Sequence, residues 1–108
     1  MSYDIYFTIA VSEDRHATIE ERNITSNLAP MFRLVLGDRG IHRLNGMTAQ
    51  DARKIIIGAL VECQEKEENL RELEPINGWG NYSSFVDFMQ WLYACCFRCT
   101  KCTISIYS

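Results

Sequence analysis

The sequence predicts an α+β domain in two layers, with helices packed on one face of a three-stranded antiparallel sheet. Segments near both ends alternate apolar and polar residues, as strands do. The segments between them repeat apolar residues every three or four positions, as amphipathic helices do. The length of 108 residues suits one domain, residues 1–108. We therefore expect the order strand, strand, helix, helix, helix, strand.

The first two elements are predicted to form a β-hairpin. In "YDIYFTIAV", Ile5, Phe7 and Ile9 fall on one side of a strand. The polar turn "SEDRH" leads into "ATIEERN", in which Ile19 is assigned to the apolar side. The outer face of the sheet is then expected to expose polar and tyrosine side chains: Tyr6, Thr8, Thr18, Arg22, Thr103, Ser105 and Tyr107. Such a face suits a homodimer contact or a partner protein.

Capping residues and helix-stop signals locate the first two helices. Thr25, Ser26 and Asn27 can each cap a helix that contains Pro30 in its first turn and stops at Gly37. The second helix should span residues 47–73, with Thr48 as N-cap and Asp51 three positions on. Its last part is almost wholly charged, so we expect it to run out into solvent. Ion pairs at helical spacing should support it there: Glu62 with Lys66, and Glu67 with Arg71.

The third helix is predicted over residues 82–99 and carries most of the cysteines. Asn81 or Ser83 can cap it, and the tail "CTISIYS" alternates as a strand that pairs beside the first. Helical spacing gives it one broad apolar face: Phe85, Phe88, Met89, Leu92, Cys95, Cys96 and Cys99. We expect buried free thiols, no metal and no cofactor. The alternative is a metal or iron–sulfur site at Cys96, Cys99 and Cys102, although such runs usually ligate from loops.

Composition and motifs argue against several functions. The net charge of −3 argues against a nucleic-acid partner, because nucleic-acid binders are usually basic. The longest apolar runs, "IIIGALV" and "WLYACCF", are too short to cross a membrane, and the start of the chain is a poor signal peptide. We therefore expect a cytoplasmic protein. The sequence contains no G-x-S-x-G, H-E-x-x-H or P-loop motif, which favours a non-enzymatic protein without catalytic residues.

Two sets of residues are candidates for binding. The first is an acidic partner surface with one aromatic residue: Glu65, Glu67, Glu68, Glu72 and Trp79. The alternative is a small-molecule or nucleotide site at the start of the first helix and the tryptophan loop: Asn23, Thr25, Asn27, Arg33, Asn77 and Trp79. Trp79 stands between two glycines, and we expect it to fold back as a plug on the core rather than to form an exposed anchor.

Three stretches, "NITSNLAPMFR", "LNGMTAQDA" and "INGWGNY", resemble landmarks of a group of small bacteriophage and prophage proteins. The resemblance spans most of residues 3–107, but "ECQEKEEN" and "CCFRCTKC" lie outside it, and no activity comes with it. It singles out Asn23, Thr25, Asn27, Pro30, Met31, Asn77, Gly78, Trp79 and Gly80. It implies a phage-borne protein that docks on a host protein or complex, most concretely an inhibitor of a host defence system such as CRISPR-Cas.

Overall fold

A computed structural model, which describes residues 1–108, confirms the predicted α+β architecture. Three antiparallel strands form a sheet with the order β2-β1-β3: β1 (Ser2–Ser12), β2 (Arg15–Thr25) and β3 (Thr103–Tyr107). Four α-helices pack against this sheet: α1 (Ala29–Leu36), α2 (Ala49–Glu65), α3 (Glu67–Glu72) and α4 (Tyr82–Arg98). Two short 3₁₀ helices, Ser26–Leu28 and Gly40–Leu44, flank α1.

The final strand pairs with the first, as predicted. Ile5 lies opposite Ile106 and Phe7 lies opposite Ile104, and all four side chains are buried under the helices. The free edge of β3 is covered, because Gly46 N donates to Ile104 O at 2.8 Å and Ile104 N donates to Met47 O at 2.9 Å. The segment before α2 therefore satisfies backbone groups that would otherwise invite another strand.

The second strand contains a β-bulge that overturns part of the predicted pattern. Phe7 pairs with Glu20 while the next residue, Thr8, pairs with Thr18, so Ile19 is an extra residue in β2. The side chain of Ile19 is exposed, and its assignment to the apolar side was wrong. The bulge shifts the alternation, and Arg22 therefore lies under the sheet, not on its outer face.

Residues on the helix side of β2 bind α4. The Arg22 guanidinium lies 5.5 Å from the ring centroids of both Phe88 and Trp91, and it donates to Asp87 at 3.0 Å. Glu20 accepts a hydrogen bond from Arg98 at the other end of α4. These charged side chains shield the apolar edge of the core and fix α4 across the strands.

Two of the three predicted capping arrangements are confirmed by side-chain hydrogen bonds, whereas α1 has Leu28 as its N-cap and no side-chain cap. Thr25 Oγ1 accepts from Asn27 N, which opens the 3₁₀ turn before α1. Thr48 Oγ1 accepts from Asp51 N at the start of α2. Asn81, not Ser83, caps α4 and forms a reciprocal capping box with Ser84.

The predicted continuous second helix is broken at Lys66, where φ is −112° and ψ is 28°. After the break, α3 buries Leu70 completely in the core, so this segment does not run out into solvent. The Tyr82 hydroxyl donates to Cys63 O at 2.8 Å and satisfies a carbonyl that the end of α2 leaves free. Both predicted ion pairs are present: Glu62 with Lys66 at 3.4 Å and Glu67 with Arg71 at 2.8 Å.

Four of the five cysteines are buried, and burial favours the neutral form of those four free thiols. The apolar face of α4 is buried as predicted, except that the helix ends at Arg98 and Cys99 is only half-buried. Burial raises the pKa of the Cys63 and Cys96 thiols to about 11. It raises the pKa of the Cys95 and Cys102 thiols to about 12.

The glycine loop between α3 and α4 packs its backbone on the start of α1. Gly80 has a φ of +102°, and a Cβ placed there would lie 2.9 Å from Leu28 Cδ2 and 3.2 Å from Thr25 Cγ2. Only glycine fits this conformation and this approach. Gly78 also has a positive φ, of +77°, but a Cβ there would meet no atom within 4 Å.

We expect Gly80→Ala to lower the free energy of unfolding by about 1–3 kcal/mol, because it adds a steric clash to a strained backbone conformation. The control is Gly78→Ala, which adds only the backbone strain of about 1 kcal/mol. Urea denaturation of both variants measures the difference. Equal stability of the two variants would show that the close contact of Gly80 with Leu28 does not contribute to the cost of the substitution.

We expect alkylation of the folded protein to stop at Cys99. The thiolate is the reactive form, and the four buried thiols stay protonated and inaccessible at about pH 8. Intact-mass spectrometry after iodoacetamide treatment should show one adduct for the native chain and five after unfolding in guanidinium. Rapid native labelling of Cys95 or Cys96 would contradict this packing of α4.

Candidate functional site

Five of the six residues predicted for a small-ligand site line one shallow groove. Asn23, Thr25, Asn27, Asn77 and Trp79 surround it, together with Ser2 and Met1, and its volume is about 420 Å³. We call it the amide groove. It forms because the Gly80 loop packs against the end of β2 and the start of α1. Arg33 lies outside the amide groove, on the exposed side of α1.

Hydrogen bonds within the amide groove fix its walls. Asn23 Nδ2 donates to Ser2 Oγ and to Asp4 Oδ1, both at 2.8 Å. Trp79 N donates to Asn77 Oδ1 at 2.9 Å, which closes a local turn. The side chain of Asn27 and the Trp79 indole make no hydrogen bond within the chain. The amide groove thus offers neutral donors and acceptors beside one flat aromatic ring.

The four predicted acidic residues lie at the end of α2 and along α3. Glu65, Glu68 and Glu72 are exposed and form no ion pair, whereas Glu67 is half-buried and bound to Arg71. The Arg71 guanidinium also stacks 4.6 Å from the Tyr82 ring centroid. Three carboxylates are therefore free to face a partner, and Glu67 has a structural role at the junction of α3 with α4.

Trp79 is 68% exposed, so the predicted plug is wrong and the side chain is an exposed aromatic group. It has two exposed apolar neighbours in the same loop, since Leu73 is 36% exposed and Ile76 is fully exposed. Exposed large apolar side chains clustered in one segment are typical of a contact surface. We call the set Glu68, Glu72, Leu73, Ile76 and Trp79 the docking surface. Ile76 was missed in the sequence because a single apolar residue in a turn carries no periodic signal.

The outer face of the sheet is uncovered and mostly polar. Tyr6 and Tyr107 pair edge to face there, with ring centroids 5.7 Å apart. The shallow depression around them is also lined by Asp4, Thr8, Thr18 and Ser105. Arg22, predicted for this face, belongs to the helix side instead.

A second groove, which the sequence did not predict, runs between α2 and α4. Apolar side chains line most of it, and its volume is about 430 Å³: Ile57, Leu60, Val61, Tyr82 and Val86. Ile57 and Val61 are 42% and 48% exposed. The signal was present in "IIIGALV", which holds more apolar residues than one buried helix stripe can accommodate.

Neither histidine lines either groove. His42 packs edge-on against Tyr3, with ring centroids 5.6 Å apart, and His16 is exposed beside the hairpin turn. Nowhere do three or more histidine, cysteine or acidic side chains converge in a metal-binding arrangement. The two longest helices, α2 and α4, have 17 residues each, and no helix combines the length and apolarity needed to span a bilayer.

Two of the three stretches that the sequence analysis singled out meet at the amide groove. "NITSNLAPMFR" supplies Asn23, Thr25 and Asn27, and "INGWGNY" supplies Asn77 and Trp79. The third stretch opens α2 with the Thr48 cap. Comparison of the chain with family models, with curated proteins and with solved structures gave no match.

Proposed function

We propose that this chain is a non-enzymatic binding protein that engages a basic region of another protein through the docking surface. The observation that supports this most is the exposure of Leu73, Ile76 and Trp79 directly after an acidic helix. Exposure of such side chains to water costs free energy, and a partner that covered them would bind with the free energy of their burial.

The carboxylates and the apolar side chains would serve different steps of binding. Glu68 and Glu72, with Glu65 nearby, create a negative field that would speed the approach of a basic partner. Tryptophan and isoleucine side chains would then supply the contact that holds the complex, since a few buried anchors carry most of the binding energy. A partner with lysine or arginine around an apolar pocket would match both features.

The resemblance to phage and prophage proteins supports a host protein or protein complex as the partner. An inhibitor of a host defence system, for example CRISPR-Cas, acting in the host cytoplasm is the most concrete form of this proposal. Defence nucleases carry basic surfaces for nucleic acid, and an acidic docking surface would compete for them.

We expect Glu68→Lys with Glu72→Lys to reduce capture of the partner at least about tenfold, because the field changes sign at the contact. Ile76→Ala with Trp79→Ala should reduce it to a similar degree by removing the anchors. The measurement is quantitative mass spectrometry of proteins retained from bacterial lysate on the immobilised chain. The matched control is Glu13→Lys with Asp14→Lys, which makes the same charge change. These residues form the hairpin turn, and Trp79 lies beside the other end of the β1–β2 pair, near Ser2 and Thr25.

The proposal requires a protein that is lost with both docking-surface variants and retained by the control. A captured protein that is lost equally with the hairpin control would indicate general electrostatic adsorption. Retention of every captured protein by both docking-surface variants would overturn the proposal.

The amide groove supports a second candidate function, the binding of a small ligand. The gathering of residues from β2, the 3₁₀ helix Ser26–Leu28 and the Trp79 loop around one groove favours it. No charged side chain lines the groove, so its chemistry suits a neutral ring, such as a nucleobase or a sugar, better than a phosphate. The exposed indole can stack on such a ring while amide groups bind its edge.

We expect a nucleoside or a neutral sugar to raise the melting temperature of the wild-type chain, and Asn27→Ala to abolish this shift. Asn69→Ala, an exposed amide on α3, is the control and should bind normally. A differential scanning fluorimetry screen of both ligand classes measures the shift. The absence of a melting-temperature shift with both ligand classes would reject the amide groove as their site. If protein partners use only the docking surface, Asn27→Ala should leave protein capture unchanged.

A further inference from the structure

Beyond the proposed function, we infer that a second copy of this chain docks on the exposed face of α2, in an antiparallel helix pair related by a two-fold axis. The contact uses the α2–α4 side of the molecule and not the docking surface or the outer face of the sheet. The residues that carry it are Lys54, Ile57, Gly58, Val61 and Glu65.

The exposed face of α2 is apolar in the middle, with the basic Lys54 towards its start and the acidic Glu65 at its end. Ile57 and Val61 are 42% and 48% exposed and border the α2–α4 groove. Lys54 lies towards the start of the helix and Glu65 is its last residue, and both side chains are exposed and without an ion pair. The buried residues of α2 all lie on the opposite face: Ala49, Ala52, Ile56, Ala59 and Cys63.

This arrangement is complementary to itself only when the two helices run in opposite directions. A two-fold axis that crosses α2 between residues 59 and 60 places Lys54 of one copy opposite Glu65 of the other, and the symmetry repeats the pair. The two charges are about 16 Å apart along one helix, from the rise of an α-helix. The apolar residues of each copy then meet between the two charge pairs. A parallel arrangement would place like charges together.

Gly58 supplies the close approach that this pairing needs. The same axis places Val61 of one copy over Gly58 of the other. A Cβ at Gly58 would meet no atom of its own chain within 4 Å, and its backbone is helical. Glycine weakens a helix interior relative to alanine. The fold itself gives no reason for glycine at this position, whereas a helix packed against it would, since small residues allow two helix backbones to come close.

The neighbouring helix enlarges the contact. Val86 and Tyr82 of α4 form the other wall of the α2–α4 groove. Phe97 at the end of α4 is 55% exposed and stacks on Arg53 near the start of α2, with the guanidinium carbon 4.6 Å from the ring centroid. The two copies would thus form a layer of four helices around the axis, with apolar side chains between them.

The test is sedimentation velocity of the full chain over a concentration series at low salt. We expect a dimer whose dissociation constant rises at least about tenfold with Lys54→Glu or with Glu65→Lys alone. The double variant Lys54→Glu with Glu65→Lys restores the complementary pairs and should recover the dimer. Gly58→Leu should abolish the dimer, while Gly58→Ala should weaken it and raise the melting temperature of the monomer.

Each other outcome overturns the inference. A wild-type chain that stays monomeric at every concentration has no such contact. A dimer that survives Gly58→Leu, or that Tyr6→Ala with Tyr107→Ala dissociates, uses another face, such as the outer face of the sheet. The variant Glu68→Lys with Glu72→Lys should leave the dimer intact, so failure of the docking surface and failure of this contact are told apart.

Discussion

The burial of one face of α4 is the interaction on which the rest of the molecule depends. Phe85 and Phe88 of this helix pack against Phe32 of α1, with ring centroids 4.9 and 5.6 Å apart. Trp91 reaches Phe7 in the central strand, at 5.9 Å. Such edge-to-face contacts join the sheet, α1 and α4 in one core. Both grooves follow from this placement, because the loop before α4 closes the amide groove and the outer side of α4 forms one wall of the α2–α4 groove.

The sequence predicted those parts of the fold that depend on periodicity and capping. The alternation in β1 and β3 and the apolar stripe of α4 each follow from burial on one side, and the caps Thr48 and Asn81 follow from the need to satisfy free N–H groups. The bulge at Ile19 and the break at Lys66 depend on contacts with distant residues. Arg22 lies over Phe88 only because the bulge reverses the alternation of β2. No local sequence pattern indicates this bulge.

A candidate site was easier to predict when its residues lie close together in the sequence. The residues Asn23, Thr25 and Asn27 alternate on one short stretch, so they were expected to act together. Their meeting with Asn77 and Trp79 depends on the backbone contact at Gly80. The exposure of Trp79 was missed because tryptophan is buried on average, whereas in this loop Gly80 is the residue that packs closely on Leu28. Ile57 and Val61 belong to the apolar run "IIIGALV", and the run by itself does not show which of its residues are exposed.

A glycine can be required by a contact inside the chain, as at Gly80, or by a contact with another molecule, as inferred at Gly58. At Gly80 the positive φ and the nearby Leu28 side chain explain the residue completely. At Gly58 the conformation is helical and the space beside it is empty, so alanine would fit and would stabilise α2 by roughly 0.5–1 kcal/mol. A residue that weakens a helix without serving its own fold indicates a need outside the chain. The exposed apolar neighbours, with Lys54 and Glu65 towards the two ends of α2, are the basis for the inferred contact with another copy of the same helix.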